Sequence, residues 1–248
     1  MTRERYARQL VLPQFGEAGQ AALADASVTL IGCGGLGTVA AAYLAGAGVG
    51  RLVLVDHDRV ELSNLHRQIL FRESDIGQPK AAALAAALQE RNPESDYTAV
   101  TTPADADSLP NLIGASDLVL DCSDNFPTRY AINAACVQRR IPLLSAAAIR
   151  LDGLVLALLP GRREQACYHC VFPQSPQHPS GESCQDAGVL GPSVGVVASQ
   201  QASQALAILT GRGQFNRLWR WDGQTGELRV LGLRPDARCP VCAATAST

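Results

Sequence analysis

The chain has 248 residues, 47% of them hydrophobic and 18% charged, with a formal net charge of −2. This length and apolar content support the buried core of one large α/β domain or two small ones, and the near-neutral charge excludes a general basic surface for nucleic acid or an acidic tail. No N-terminal run combines a charged start, an apolar middle and a small-residue cleavage site, and no apolar stretch is long enough to span a bilayer, so a cytoplasmic location without membrane contact is expected.

Residues 3–24 read as two short helices hinged near Pro13 and Gly16. Ser27–Ile31 is an apolar strand running into the glycine-rich "GCGGLG", and Gly35–Ala47 is an alanine-rich helix. Arg51–Val55 is a second strand that ends in Asp56-His57-Asp58, followed by a polar, irregular segment over 59–79. Pro79 suits the first turn of a helix over Lys80–Arg91. Strands are expected at 97–101 and Leu118–Asp121, then a helix at 128–139 and a strand at 142–145. Such alternation predicts a Rossmann-like, doubly wound, mostly parallel sheet. Beyond residue 150 the pattern changes. Strands at 153–159 and 228–233 read as an antiparallel C-terminal extension, enclosing a Pro-, Ser-, Gln- and Cys-rich loop over 161–187 and an apolar helix over 192–210. No linker separates the halves, so a single domain is expected.

Gly32, Gly34 and Gly37 have the spacing of the dinucleotide fingerprint, which allows a tight turn and close approach of backbone to phosphate. Asp56, 24 residues beyond Gly32, suits a ribose hydroxyl. These features alone admit any adenosine-containing ligand. Two observations weigh against hydride transfer. No Tyr-x-x-x-Lys relay is present, and Asn64, Arg67 and Gln68 cluster ahead of Lys80, a set of donors that fits a polyphosphate. Twenty of the twenty-one Lys and Arg residues are Arg, so the single lysine, Lys80, marks a place where a compact ammonium is needed. Asp124 follows a strand end, where it could hold Mg²⁺ beside a polyphosphate; it or Asn125 could instead cap the next helix.

Cys167-x-x-Cys170 and Cys239-x-x-Cys242 form two ligand-spaced pairs separated by 68 residues, a pattern that fits a closed tetrahedral Zn²⁺ site. Cys33, Cys122 and Cys136 sit in apolar contexts and read as core residues. Cys184 lies in a polar loop before a helix and is a candidate nucleophile or an incidental loop cysteine.

Together these motifs resemble the ThiF/MoeB/HesA adenylyltransferases, bacterial relatives of the ubiquitin-activating enzymes. The likeness rests on "RYARQL" at 5–10, "GCGGLG" at 32–37, "DHDRVELSNLHRQILF" at 56–71, "IGQPK" at 76–80, "DCSDN" at 121–125, "CYHC" at 167–170, "CQDAGVLGP" at 184–192 and "CPVC" at 239–242. "GPSVGV" and the length look more like the ThiF branch of thiamine synthesis than the MoeB branch of molybdopterin synthesis.

The resemblance implies ATP-dependent adenylylation of the C-terminal glycine of a ubiquitin-like sulfur carrier ending in Gly-Gly. It implies nucleotide binding by Gly35, Asp56, Ser63, Asn64, Leu65, His66, Arg67, Lys80, Asp124 and Asn125. Mg²⁺ falls to Asp124 and Zn²⁺ to Cys167, Cys170, Cys239 and Cys242. Arg8 matches an arginine that relatives insert from a neighbouring subunit, which implies a homodimer. Cys184 matches a cysteine that links covalently to the carrier in ThiF relatives but is not required in MoeB relatives. On this reading 1–24 is a helical arm, 25–150 the nucleotide-binding half and 151–248 the carrier-binding and zinc half. The sequence ends six residues after Cys242 without a rhodanese-like segment, so a separate persulfide sulfur donor is expected. An NAD(P)-dependent oxidoreductase and a non-catalytic nucleotide-binding regulator are the competing classes.

Overall fold

The structure, a computed structural model, describes residues 3–162, 164–174 and 187–243. Eight strands form one sheet: β1 (Ser27–Ile31), β2 (Arg51–Val55), β3 (Asp96–Val100), β4 (Leu118–Asp121), β5 (Leu143–Ile149), β6 (Asp152–Leu158), β7 (Arg217–Asp222) and β8 (Glu227–Gly232). Their spatial order is β3-β2-β1-β4-β5-β6-β7-β8. The strands from β3 to β5 in that order are parallel, and the pairs β5–β6, β6–β7 and β7–β8 are antiparallel. The order reverses between β1 and β4, so their carboxyl ends open a crevice of the kind that receives ligands in doubly wound sheets.

Two apolar cores sandwich this sheet, as the near-continuous apolar runs of β1, β2 and β4 require. On one face, Leu30, Leu54 and Leu120 pack against α3 (Gly35–Ala47), α4 (Lys80–Arg91) and α8 (Gly191–Leu209). On the other, Ile31, Val119 and Leu156 pack against α5 (Leu109–Leu112), α6 (Phe126–Arg139) and α7 (Tyr168–Val171). Small side chains let helices approach closely: Ala40, Ala41 and Ala45 of α3 and Ala198 and Ala205 of α8 have no exposed surface. The N-terminal α1 (Ala7–Leu10) and α2 (Gly16–Asp25) lie across this layer. Tyr6 is anchored by the buried Asn92, whose Nδ2 donates to the phenol oxygen at 2.8 Å.

The parallel half follows the predicted order, with shifts of a residue or two at several ends. Four elements differ more. β5 runs to Ile149 rather than 145, because Ala146–Ala148, good helix formers in isolation, extend the pairing with β6. β7 was not expected, since "RLWRWD" mixes charged and aromatic residues; it supplies the strand between β6 and β8. The short α5 and α7 were also missed.

Candidate functional site

The carboxyl ends of β1, β2 and β4 and the polar segment after β2 enclose a cleft of about 390 Å³. Its floor is the turn from β1 to α3. Gly32 has φ +95°, and a Cβ there would lie 2.6 Å from the Cys122 carbonyl oxygen. A Cβ on Gly37 would lie 2.0 Å from the Gly32 carbonyl oxygen, so that glycine brings helix and strand together. Gly34 occupies the N-cap of α3 without a side-chain cap. The first-turn N–H groups of a thirteen-residue helix therefore meet the cleft, a ready position for an anion.

Asp56 stands at the mouth of this turn. Its Oδ2 accepts from the Cys33 N–H at 2.7 Å and its Oδ1 from the Asp58 N–H at 2.8 Å. Burial raises its pKa, opposed by these backbone donors and by Lys80. Lys80, the first residue of α4, is 10% exposed at its side chain, and its Nζ donates to Asp58 Oδ2 at 2.9 Å. Desolvation works to raise the Asp58 pKa, but the hydrogen bond and charge of Lys80 outweigh it, so the carboxyl sits below its ordinary value. The backbone fixes this pair: the Lys80 N–H donates to the Asp58 carbonyl and the Val60 N–H to the Gln78 carbonyl, both at 2.9 Å. The segment read as irregular is thus clamped to the start of α4.

Arg67 enters from the stretch after the 3₁₀ turn Leu62–Asn64, with its Nη1 3.2 Å from the Ser63 carbonyl and 2.9 Å from His66 Nε2. Asn64 and Gln68 are buried and line the cleft, and each keeps a side-chain oxygen without a hydrogen-bond partner. Buried polar atoms are normally paired, so these two leave bonding capacity for a bound group. Across the cleft the β4 end supplies Ser123, Asp124 and Asn125. Asp124 is exposed, and the Asn125 side chain caps α6 by accepting from the Thr128 N–H at 3.0 Å.

Gly32, Gly34, Gly35, Asp56, Asn64, Arg67, Gln68, Lys80, Asp124 and Asn125 therefore line one cleft. Ser63, Leu65 and His66 are not among its lining residues, and Arg8 lies exposed on α1 outside it. Cys184 lies outside the described residues. Sequence reasoning passed over Asp58 as the partner of Lys80, although the unique lysine pointed to that spot.

A second cluster lies beyond α6. Cys167 Sγ is 3.8 Å from Cys170 Sγ and 3.7 Å from Cys239 Sγ, and Cys170 Sγ is 3.5 Å from Cys242 Sγ. Four thiolates about 2.3 Å from one ion stand about 3.8 Å apart at the corners of a tetrahedron, so these residues fit zinc. His169 Nδ1 lies 3.7 Å from Cys239 Sγ, not in place of a sulfur. Burial pushes the Cys167 thiol up to about 11, a cost that a coordinated cation would offset. Asn133 of α6 braces the cluster, donating to Cys167 Sγ at 3.6 Å and accepting from the Tyr168 N–H at 2.8 Å. Burial raises the thiols of Cys33, Cys122 and Cys136 far above their ordinary range, and all three lie within the apolar cores. Among the described residues, no helix is long and apolar enough to cross a membrane.

The family model described as "ThiF family" matches residues 6–241. The chain is 45% identical over 239 residues to "Sulfur carrier protein ThiS adenylyltransferase" of Escherichia coli (strain K12), covering 96% of this chain and 94% of that protein. It is 46% identical over 245 residues to "Adenylyltransferase and sulfurtransferase MOCS3" of Sus scrofa, spanning 97% of this chain but about half, 52%, of the relative. Among solved structures, E. coli MccB with ATP superposes with a TM-score of 0.83 at 23% identity, over 96% of this chain and 74% of that one, a likeness of fold.

Proposed function

Because the chain belongs to the ThiF family, we propose that it activates a small ubiquitin-like sulfur-carrier protein by adenylylating its C-terminal glycine with ATP. The observation that carries this reading is the convergence of Asp56, Arg67, Lys80 and Asp124, from four separate segments, around the uncapped start of α3. In the reaction an oxygen of the carrier's terminal carboxylate bonds to the α-phosphorus of ATP. The bond from that phosphorus to the bridging oxygen breaks, and pyrophosphate leaves with the electron pair. A carboxylate needs no general base, so the site has only to align the reactants and neutralise charge.

Asp56 takes the ribose, with both its oxygens already oriented by backbone N–H groups. The N-terminus of α3, Arg67 and Lys80 take the phosphates, and Lys80 leaves Asp58 to do so. The unpaired side-chain oxygens of Asn64 and Gln68 are acceptors, and they serve donors of the nucleotide, its hydroxyl or amino groups, rather than the phosphates. Asp124, beside the Asn125 amide, would hold Mg²⁺, which supplies further neutralisation of the phosphates. The four cysteines would hold Zn²⁺ in a closed shell, tying the C-terminal segment to the stretch after β6.

The 25–150 half then binds nucleotide and the 151–248 half receives the carrier, in the cytoplasm and without nucleic acid or membrane. Arg8, exposed and outside its own cleft, reaches a neighbouring site in a homodimer. A separate persulfide donor supplies sulfur to the activated carrier. The Cys184 thiolate captures that carrier after the first step by bonding to the acyl carbon of the adenylate, with AMP leaving and a thioester formed, and Cys184→Ser should abolish a thiol-cleavable enzyme–carrier adduct on a gel while adenylylation continues.

We read the carrier as ThiS-like, in thiamine synthesis, on the strength of near-full mutual coverage with the E. coli relative. A MoaD-like carrier, in molybdopterin synthesis, is the second reading, favoured by the 46% identity to the pig protein. Incubation with ATP and each purified carrier, followed by mass spectrometry of the carrier, tests both. The expected result is an acyl-adenylate on one carrier that is lost when its terminal glycine is removed; no adenylate on any carrier ending in Gly-Gly would overturn the proposal.

A further inference from the structure

We propose that Arg129 is a positioning residue of the nucleotide cleft, one whose buried guanidinium holds the Ser123 carbonyl and so fixes the peptide that presents Asp124 and Asn125. The inference rests on the reading of this cleft as the ATP site. Arg129 is 7% exposed, and a guanidinium nitrogen donates to the Ser123 oxygen at 2.5 Å. The Tyr168 hydroxyl meets the same guanidinium. On the other side of residue 123, the Ser123 N–H donates to Asp121 Oδ1 at 3.0 Å and its hydroxyl to the same oxygen at 2.6 Å. Asp121 has no exposed surface, and its second oxygen accepts from Ser145 Oγ at 2.6 Å. The backbone on both sides of Ser123 is therefore gripped by buried groups of opposite charge, immediately before the two cleft residues.

This grip is not needed to start α6. The Asn125 side chain already caps that helix, with Pro127 in its first turn. A buried cation is costly unless its donors are well used. The planar fork of Arg can serve the Ser123 carbonyl and Tyr168 in different directions, whereas the ammonium of Lys is a compact point charge. The loop also abuts the glycine turn, since a Cβ added to Gly32 would lie 2.6 Å from the Cys122 carbonyl oxygen. A displacement at Ser123 would therefore disturb both walls of the cleft, and small misplacements of reacting groups are expensive in rate.

Arg129→Lys and Arg129→Met, in the full chain, test the assignment by two measurements. Hydrogen exchange should show protection lost by about tenfold or more in the peptide covering 121–125, with the rest of β4 and the body of α6 protected as before. ATP–pyrophosphate exchange should lose about tenfold or more in kcat while KM for ATP changes by less than about threefold. If Arg129→Met fails to fold, Arg129→Lys carries the test. Unchanged protection at 121–125 in Arg129→Lys, or protection lost throughout β4 and α6 together, would overturn the proposal. The hydrogen-exchange arm needs no reaction, so a wild-type protein without pyrophosphate exchange would refute the proposed function and leave the protection pattern to decide the role of Arg129.

Discussion

β1 and β4 are buried along nearly their whole length, whereas β8 is exposed at every residue. The cleft stands at the ends of those buried strands and the cysteine cluster in the stretches that follow β6 and β8, and the two sites are held by different means. The cleft stands on strands buried between two apolar cores, and its polar groups are placed by backbone hydrogen bonds that those cores enforce. The cysteine cluster has only a small apolar core of its own, formed by Val137 and three of the cysteines themselves. A site built on packing tolerates the loss of a ligand, while one built on four thiolates depends on what joins them.

The largest effect expected from this contrast is at the cluster. Purified protein should contain about one zinc per chain, and Cys239→Ser should lower the thermal midpoint by about 10 °C or more. Removal of ATP should leave the midpoint far less changed. Elemental analysis and thermal denaturation check both statements, and reduced, folded protein without zinc would break the comparison.

Next comes Lys80. Lys80→Arg should lower pyrophosphate exchange by about a hundredfold while circular dichroism stays unchanged, because a planar fork cannot occupy the place of an ammonium between Asp58 and the phosphates. Near-normal exchange would make the unique lysine incidental. Smaller again is a restored activity. Mixed Arg8→Ala and Asp124→Ala proteins, each inactive alone, should recover up to about a quarter of wild-type exchange, since one site of each hybrid dimer regains both groups. No recovery after verified subunit exchange would place Arg8 elsewhere.

The smallest effect concerns Asp58, whose side chain is 53% exposed. Its lowered pKa means that its pairing with Lys80 contributes stability above the ordinary carboxylate value of about 3.9, which is lost as pH falls through the lower folded value. Solvent screening limits this to under about 1 kcal/mol. Asp58→Asn should therefore lower the thermal midpoint by no more than about 4 °C at pH 7, and the difference should shrink as pH falls below the ordinary carboxylate range, as a pH series of melts would show.

The contrast also explains what the sequence made legible. Spacing alone brought out the glycine turn and the two cysteine pairs, because backbone geometry and tetrahedral coordination each demand fixed intervals. The parallel strands were readable because burial on both faces leaves apolar runs. β7 was not, since an edge-proximal strand half exposed to water can mix Arg with Trp. The strand expected at 142–145 stopped short of Ala146–Ala148, residues with no strand preference of their own, whose extended state is decided by pairing with β6 and the packing of α8. Ser63, Leu65 and His66 share a short segment with Asn64 and Arg67, but its 3₁₀ turn leaves them outside the cleft lining. Arg129 carries no motif at all, since its role depends on a carbonyl six residues earlier that only the folded loop turns towards it.

On the proposed function, this cleft joins AMP to a carrier's carboxyl end. The most direct measurement is exchange of labelled pyrophosphate into ATP by the wild-type protein with a ThiS-like carrier. Exchange that requires the carrier, ceases when its terminal glycine is deleted and is lost in Asp124→Ala is the result expected. Exchange that proceeds equally without any carrier, or no exchange with any carrier ending in Gly-Gly, would contradict the account.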